Sequence, residues 1–269
     1  MDFIRIEEIK FPTKSGERYL KSIIKLIKCY YSTNILAIGI FGSIARGNGD
    51  IFSDVDLIII TKNEIPKTKF LKLFQNLLYL ENKEFHIKES HNFKTSFINA
   101  LNLNTGMFRS FFLTDIISWN SGNFSNIFSV GIISKLIAPS KIVMKSILKD
   151  LKWIYAFEDN SDFKIKLKSP KVGITDFIKA YLTCQILSVG ALVITPFFKE
   201  STQFSLEAVK WAFLSKKMYK SYVQTNHLQY KNKHLEIKKN IDLLRQNYRR
   251  DPLFNLKAVF FIPKYFLFS

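Results

Sequence analysis

Phe41-Gly42-Ser43-Ile44-Ala45-Arg46-Gly47-Asn48-Gly49-Asp50-Ile51-Phe52-Ser53-Asp54-Val55-Asp56-Leu57 is the stretch on which the fold and the chemistry turn. It is entered from an unbroken apolar run, Ile35 to Phe41, and left through another, Leu57 to Ile60. Both runs have the length and composition of buried strands. Side chains two apart on a strand share a face, so Asp54 and Asp56 project together from the start of the second strand. Two carboxylates on one face repel unless a cation sits between them, and an oxygen-only donor set favours Mg²⁺ or Mn²⁺. Gly42-Ser43 stands where the first strand turns toward a helix start. Glycine there allows close backbone approach to a ligand, and helix-start N–H groups attract anions. A phosphate cradle beside a metal-binding carboxylate pair is the equipment of phosphoryl or nucleotidyl transfer.

Working outward, residues 14–31 carry apolar side chains at helical spacing (Tyr19, Leu20, Ile23, Ile24, Ile27), which predicts an amphipathic helix. Pro66 to Leu80 reads as a second helix and Glu84 to Lys88 as a third short strand. That order predicts an α/β domain with a short mixed sheet. Beyond residue 93 the pattern turns mainly helical. Helices are expected over Ser140–Phe157, Thr175–Thr195, Ser205–Tyr222 and Lys231–Tyr248, with a polar connection over Asp159–Gly173. The aromatic tail Leu253–Phe268, interrupted by Pro263, is expected to dock on the protein's own surface. The expected organisation is an α/β domain over 1–130, followed by an all-helical domain over 131–269.

Composition narrows the class. With 269 residues, 47% of them hydrophobic and 26 phenylalanines, the chain can bury a full core, which excludes global disorder. Ten glycines and seven prolines exclude collagen-like and low-complexity classes. Cys29 and Cys184 are too few for a disulfide framework or a cysteine zinc site, and the four histidines lack zinc-site spacing. No Walker-type Gly-Lys-Ser/Thr and no Gly-x-Ser-x-Gly elbow occurs. A reduced, cytoplasmic protein without a signal peptide is expected. Ala180 to Phe198 is uncharged and close to spanning length, but its polar residues fit a helix crossing a soluble core.

The net charge is +18, of which residues 1–130 contribute +4 and residues 131–269 contribute +14. A field of that sign favours polyanions. Lys216, Lys217, Lys220, Lys238, Arg245 and Arg249 lie among Tyr219, Tyr222 and Tyr248, and basic groups interleaved with aromatics suit single-stranded nucleic acid.

The segment quoted at the outset resembles the signature of the DNA polymerase β-type nucleotidyltransferase superfamily: Gly-Ser, then Ser/Thr-Asp-x-Asp, here with the Gly-Ser-x-Ala-Arg-Gly of small bacterial and archaeal members. The resemblance covers about residues 35–60. It implies transfer of a nucleoside monophosphate from an NTP, with ATP the expected donor, using Mg²⁺ or Mn²⁺. It assigns the metals to Asp54 and Asp56, and the triphosphate to Gly42 and Ser43, with Arg46 and Ser53 supporting the loop. It also asks for a third carboxylate on a neighbouring strand, as metal ligand or general base. Glu84 and Glu89 are the candidates, and the resemblance of Glu84-Phe85-His86-Ile87-Lys88 to the corresponding strand of aminoglycoside adenylyltransferases favours Glu84.

A weaker resemblance joins Ser205–Ala212 and Asp176 to the helical domain of streptomycin/spectinomycin adenylyltransferases. Basic residues of that family are replaced here by Ile186 and Ser205, and a packed helix face accounts for Trp211 and Ala212. A polycationic antibiotic fits the positive charge poorly, so an anionic acceptor such as RNA or tRNA is expected. The rival readings are an antibiotic adenylyltransferase and a non-catalytic, antitoxin-like or RNA-binding relative.

Overall fold

The computed structural model describes residues 4–49, 53–62, 65–85, 110–128, 138–156, 169–196, 201–223 and 253–268. The chain divides into two compact units, Met1–Lys135 with Met144–Pro170, and Leu136–Val143 with Lys171–Ser269.

The first unit opens with α1, Lys14–Leu26. The Thr13 hydroxyl accepts the Gly16 N–H at 3.3 Å and caps the helix, which buries Tyr19, Leu20, Ile23 and Ile24. A π-helical turn, Ile27–Tyr31, keeps Ile27 and Tyr31 in the same core. Strand β1, Ile35–Phe41, is buried along its whole length, which explains why its sequence shows no polar alternation. A single helical turn, α2 (Gly42–Ala45), follows, and then β2, Asp56–Thr61, antiparallel to β1. Helix α3, Lys67–Phe85, packs on α1 through the Tyr19 and Phe85 rings, 5.0 Å apart.

Strand β3, Phe111–Asp115, runs parallel to β2, with Leu57 opposite Phe111 and Thr61 opposite Asp115. Asp115 then caps α4, Ile116–Ser121, accepting the Ser118 N–H at 2.8 Å and its hydroxyl at 2.7 Å. Burial raises the Asp115 carboxyl, but these hydrogen bonds outweigh it and hold the group below the usual carboxylate range. Helix α5, Phe124–Phe128, and α6, Ser140–Asp150, precede β4, Lys152–Ala156, which pairs antiparallel with β1. The sheet order β3-β2-β1-β4 is mixed and places β1 and β2 at its centre.

Three local expectations are corrected. The helix expected to run to Phe157 stops at Asp150, because Trp153, Ile154 and Tyr155 are strand formers that complete the sheet. Trp153 is buried edge-to-face against Trp119, 6.0 Å away. The strand expected from Glu84 is helix through Phe85, since Leu73, Leu77 and Glu81, spaced by four, line one buried helical face. Residues 86–88 lie outside the described residues. Conversely, β3 arises in a stretch read as helical, where Phe111-Phe112-Leu113-Thr114 fills a place beside β2.

The second unit is all-helical among the described residues. Helices α7 (Ile174–Ile194), α8 (Thr202–Val223) and α9 (Phe254–Phe268) pack around Cys184, Ala208, Val209, Ala212, Phe213, Ala258 and Ile262. The aromatic tail is therefore α9 itself, docked on its own unit. Gln185 Nε2 donates to the Val259 carbonyl at 3.4 Å, and Lys216 donates to the Tyr265 carbonyl while lying 5.1 Å from that residue's ring centroid. Burial pushes the Cys184 thiol up to about 12, as befits a packed thiol. Asp176 accepts the Gly173 N–H at 2.8 Å and so fixes the start of α7. Helix α7 is long and apolar enough to cross a membrane by length and composition. One face packs through Cys184, Ser188 and Ala191, while Leu182, Ile186, Val189 and Val193 are exposed on the other. The helix expected over Lys231–Tyr248 lies outside the described residues.

Gly39 on β1 leaves room for β4 and its approach, since a Cβ there would fall 2.6 Å from Leu151 Cδ1 and 3.2 Å from the Trp153 ring. Gly39→Val is expected to cost about 1–3 kcal/mol by overpacking. It should lower the urea midpoint with the slope unchanged. A wild-type midpoint would contradict this packing.

Candidate active site

The site is built where β1 ends and β2 begins. Phe41, the last residue of β1, is paired with Asp56, the first of β2, so the turn after β1 lies directly beside that carboxylate. The approach is close: a Cβ on Gly42 would fall 2.1 Å from Asp56 Oδ2. Gly42 also has φ +75°, in the left-handed region that L side chains disfavour. Position 42 is thus restricted to glycine twice over, by backbone conformation and by the Asp56 carboxylate above it.

The loop that follows is held by its own backbone. Arg46 N–H donates to the Gly42 carbonyl at 3.2 Å, Gly47 N–H to Ile44 at 2.9 Å and Asn48 N–H to Ser43 at 2.9 Å. Ser43 is buried in this turn. The Arg46 guanidinium forms an ion pair with Asp150 at the end of α6, tying the loop to the element that leads into β4. Residues 50–52 lie outside the described residues.

Ser53, Val55 and Leu57 are buried, Asp54 is exposed and Asp56 is half-buried. Asp54 and Asp56 are thus the two less buried positions of this stretch, with Asp56 the first residue of β2 and Asp54 just ahead of the strand. Behind them, Tyr19 on α1 is fully buried, and its hydroxyl has no hydrogen-bond partner among the described residues. Burial pushes its phenol well above the ordinary range, and the charges of Glu81, Asp54 and Asp56 add to the effect.

The structure brings Gly42 and Asp56 together; Ser43 follows Gly42 in the same turn, Asp54 lies two residues before Asp56, and Arg46 and Ser53 lie in the adjoining segments. Glu84 stands apart in secondary structure. It occupies the last turn of α3, where its carboxylate accepts from Arg18 Nε at 3.0 Å. The strand beside β2 is β3, and its end nearest Asp56 begins at Ser110, with Asp115 at the far end. Glu89 lies outside the described residues.

An acidic side chain that sequence reasoning passed over is Glu81, buried on α3 and accepting the Ser110 N–H at 2.8 Å. Its signal was present: a glutamate in register with Leu73 and Leu77 on the buried helical face.

Among the described residues, no cluster of three or more His, Cys, Asp or Glu side chains that could hold a metal forms. The two aspartates nevertheless fit a hard divalent cation. Both donors are carboxylate oxygens, and Mg²⁺ is ordinarily held by one or two carboxylates with water and substrate phosphate completing its octahedron. At Gly42 the missing side chain is what admits the Asp56 carboxylate, so the turn and that carboxylate lie directly against each other.

Residues 21–106 match the family model Polymerase beta, Nucleotidyltransferase. No curated protein matches the sequence. Among solved structures, the chain is similar to spectinomycin adenyltransferase AAD(9) from Enterococcus faecialis, crystallised with ATP and spectinomycin. The identity is 12% and the TM-score 0.46, over 92% of this chain and 98% of that one. The matched span runs from within α1 past β1, the Gly-Ser turn, the aspartate pair and α3, so this chain carries a nucleotidyltransferase domain of the polymerase β type.

Proposed function

We propose that the protein transfers a nucleoside monophosphate from an NTP, with ATP the expected donor, to an acceptor hydroxyl and releases pyrophosphate. The observation that carries this reading is the packing of the Asp56 carboxylate onto the Gly42 turn, with Asp54 two residues ahead of it. Asp54 and Asp56 would hold Mg²⁺ or Mn²⁺, which supplies charge neutralisation for the triphosphate and lowers the pKa of a bound hydroxyl.

The chain's own groups perform the remaining tasks. The Gly42 turn brings backbone within reach of the phosphates, and the Arg46–Asp150 pair keeps the loop behind it from moving. In the reaction the acceptor oxygen forms a bond to the α-phosphorus as the bond to the bridging oxygen breaks. The electron pair leaves on pyrophosphate. The acceptor proton passes to water.

For the acceptor, the +14 of residues 131–269 favours a polyanion such as RNA or tRNA. Lys171, Lys179, Lys257 and Lys264 are exposed in the second unit and fit such a surface. Lys216 does not contribute, because it is buried against the carbonyl end of α9.

The test uses purified protein, each α-labelled NTP in turn, Mg²⁺, and three acceptor pools: total RNA, aminoglycosides and the protein itself. Label is expected in RNA. Label in an aminoglycoside or in the protein would keep the reaction and overturn the polyanionic acceptor. Absence of label from every pool would count against catalysis. Asp56→Ala should lower turnover by about a thousandfold or more, the loss of roughly 4 kcal/mol of charge stabilisation, while the thermal midpoint stays near wild type. Gly42→Ala, which sets a methyl against the Asp56 carboxylate, should lower turnover by at least about a hundredfold without unfolding the sheet. Wild-type turnover in either variant would refute the site.

A further inference from the structure

Glu81 is a buried carboxylate on α3 that neither the apolar core nor the Asp pair obviously requires. Burying such a group is unfavourable unless it is hydrogen-bonded, and its position shows what it bonds. Ser110 precedes β3, and its carbonyl accepts the Leu57 N–H of β2 at 2.9 Å. In a regular parallel ladder, the residue whose carbonyl takes the Leu57 N–H gives its own N–H to the carbonyl two residues earlier, at Val55. Here Glu81 Oε1 takes the Ser110 N–H instead, at 2.8 Å. The ladder therefore stops one rung short, and residues 53–55 leave the sheet while β2 starts at Asp56. Asp54, just ahead of β2, is exposed, and Asp56, its first residue, is half-buried.

We propose that Glu81 is a positioning residue: by capturing the Ser110 N–H it ends the β2–β3 ladder between Val55 and Asp56 and so sets the spacing and direction of the two aspartates. The proposal rests on the reading of Asp54 and Asp56 as metal-binding groups. Glu81 acts through the strand. The sensitivity of the Tyr19 phenol to the charges of Glu81, Asp54 and Asp56 together agrees with the three groups sharing one neighbourhood.

Two substitutions separate hydrogen bond from charge. Glu81→Gln keeps an acceptor oxygen at the same reach and removes the charge. Glu81→Asp keeps the charge and withdraws the carboxylate by one methylene. Mn²⁺ affinity in the presence of a non-hydrolysable NTP, followed by electron paramagnetic resonance, is the readout that a purely structural role leaves unmoved. Amide exchange at Ser110 and the thermal midpoint accompany it. Glu81→Asp should weaken Mn²⁺ binding by about tenfold and expose the Ser110 amide, whereas Glu81→Gln should stay within about threefold of wild type.

Equal loss in both variants overturns the proposal, because Glu81 then acts through its charge. A lowered midpoint with unchanged Mn²⁺ affinity in Glu81→Asp also overturns it. Should Glu81→Asp fail to fold, Glu81→Gln decides: retained affinity supports the clamp and lost affinity overturns it. Asp56→Ala marks the underlying reading. Wild-type protein that binds no Mn²⁺ overturns that reading and this proposal together. Binding that needs Asp56 but ignores Glu81→Asp overturns only the proposal.

Discussion

The contact between the Asp56 carboxylate and the α-carbon of Gly42 is the constraint around which the first unit is arranged. It exists only because β1 and β2 are antiparallel in a register that sets Phe41 against Asp56. That register is held by side chains buried on both strands, from Ile38 and Ile59 to Ile40 and Leu57, and a slip of one residue would send each to the opposite face. The two-faced cover for those strands comes from α1 and α3 on one side and the Trp119–Trp153 pair on the other. An acidic group at the edge of such a core is costly to hold in place, and here a glycine without a side chain and a sheet without slack hold it.

Much of this was legible beforehand. The apolar run Ile35–Phe41 marks β1 to the residue, and the alternation from Ser53 to Leu57 matches the burial of Ser53, Val55 and Leu57. Local pattern suffices there because the strand is buried on both sides and its ends are punctuated by glycine and aspartate. It failed where tertiary partners decide. Lys152–Ala156 reads as the end of a helix until β1 offers an open edge with Gly39 in it. Glu84 reads as a strand residue because polar and apolar residues alternate from it to Lys88, but the i, i+4 ladder of Leu73, Leu77 and Glu81 carries α3 through Phe85. The role of Glu81 depends on Ser110, twenty-nine positions away, so no local window contains it.

The positive charge of the second unit divides into two kinds. Lys216 neutralises the carbonyl end of α9 at Tyr265 and Phe266 and stacks its chain on an aromatic ring, so it belongs to the fold. Lys210 is engaged by Glu207 one helical turn away. Lys179, Lys257 and Lys264 are exposed, where a diffusing ligand can meet them.

The place of β4 in the sheet has a consequence for how the protein is made. One edge of β1 is closed only when residues 152–156 arrive, after 110 intervening residues have been translated. At about 5–20 residues per second, a ribosome spends on the order of 6–20 s presenting Ile35-Leu36-Ala37-Ile38-Gly39-Ile40-Phe41 with that edge unpaired. Seven uncharged apolar residues in a strand conformation are a template for intermolecular pairing. The nascent chain thus passes through a window in which the open edge of β1 is exposed to pairing with another chain.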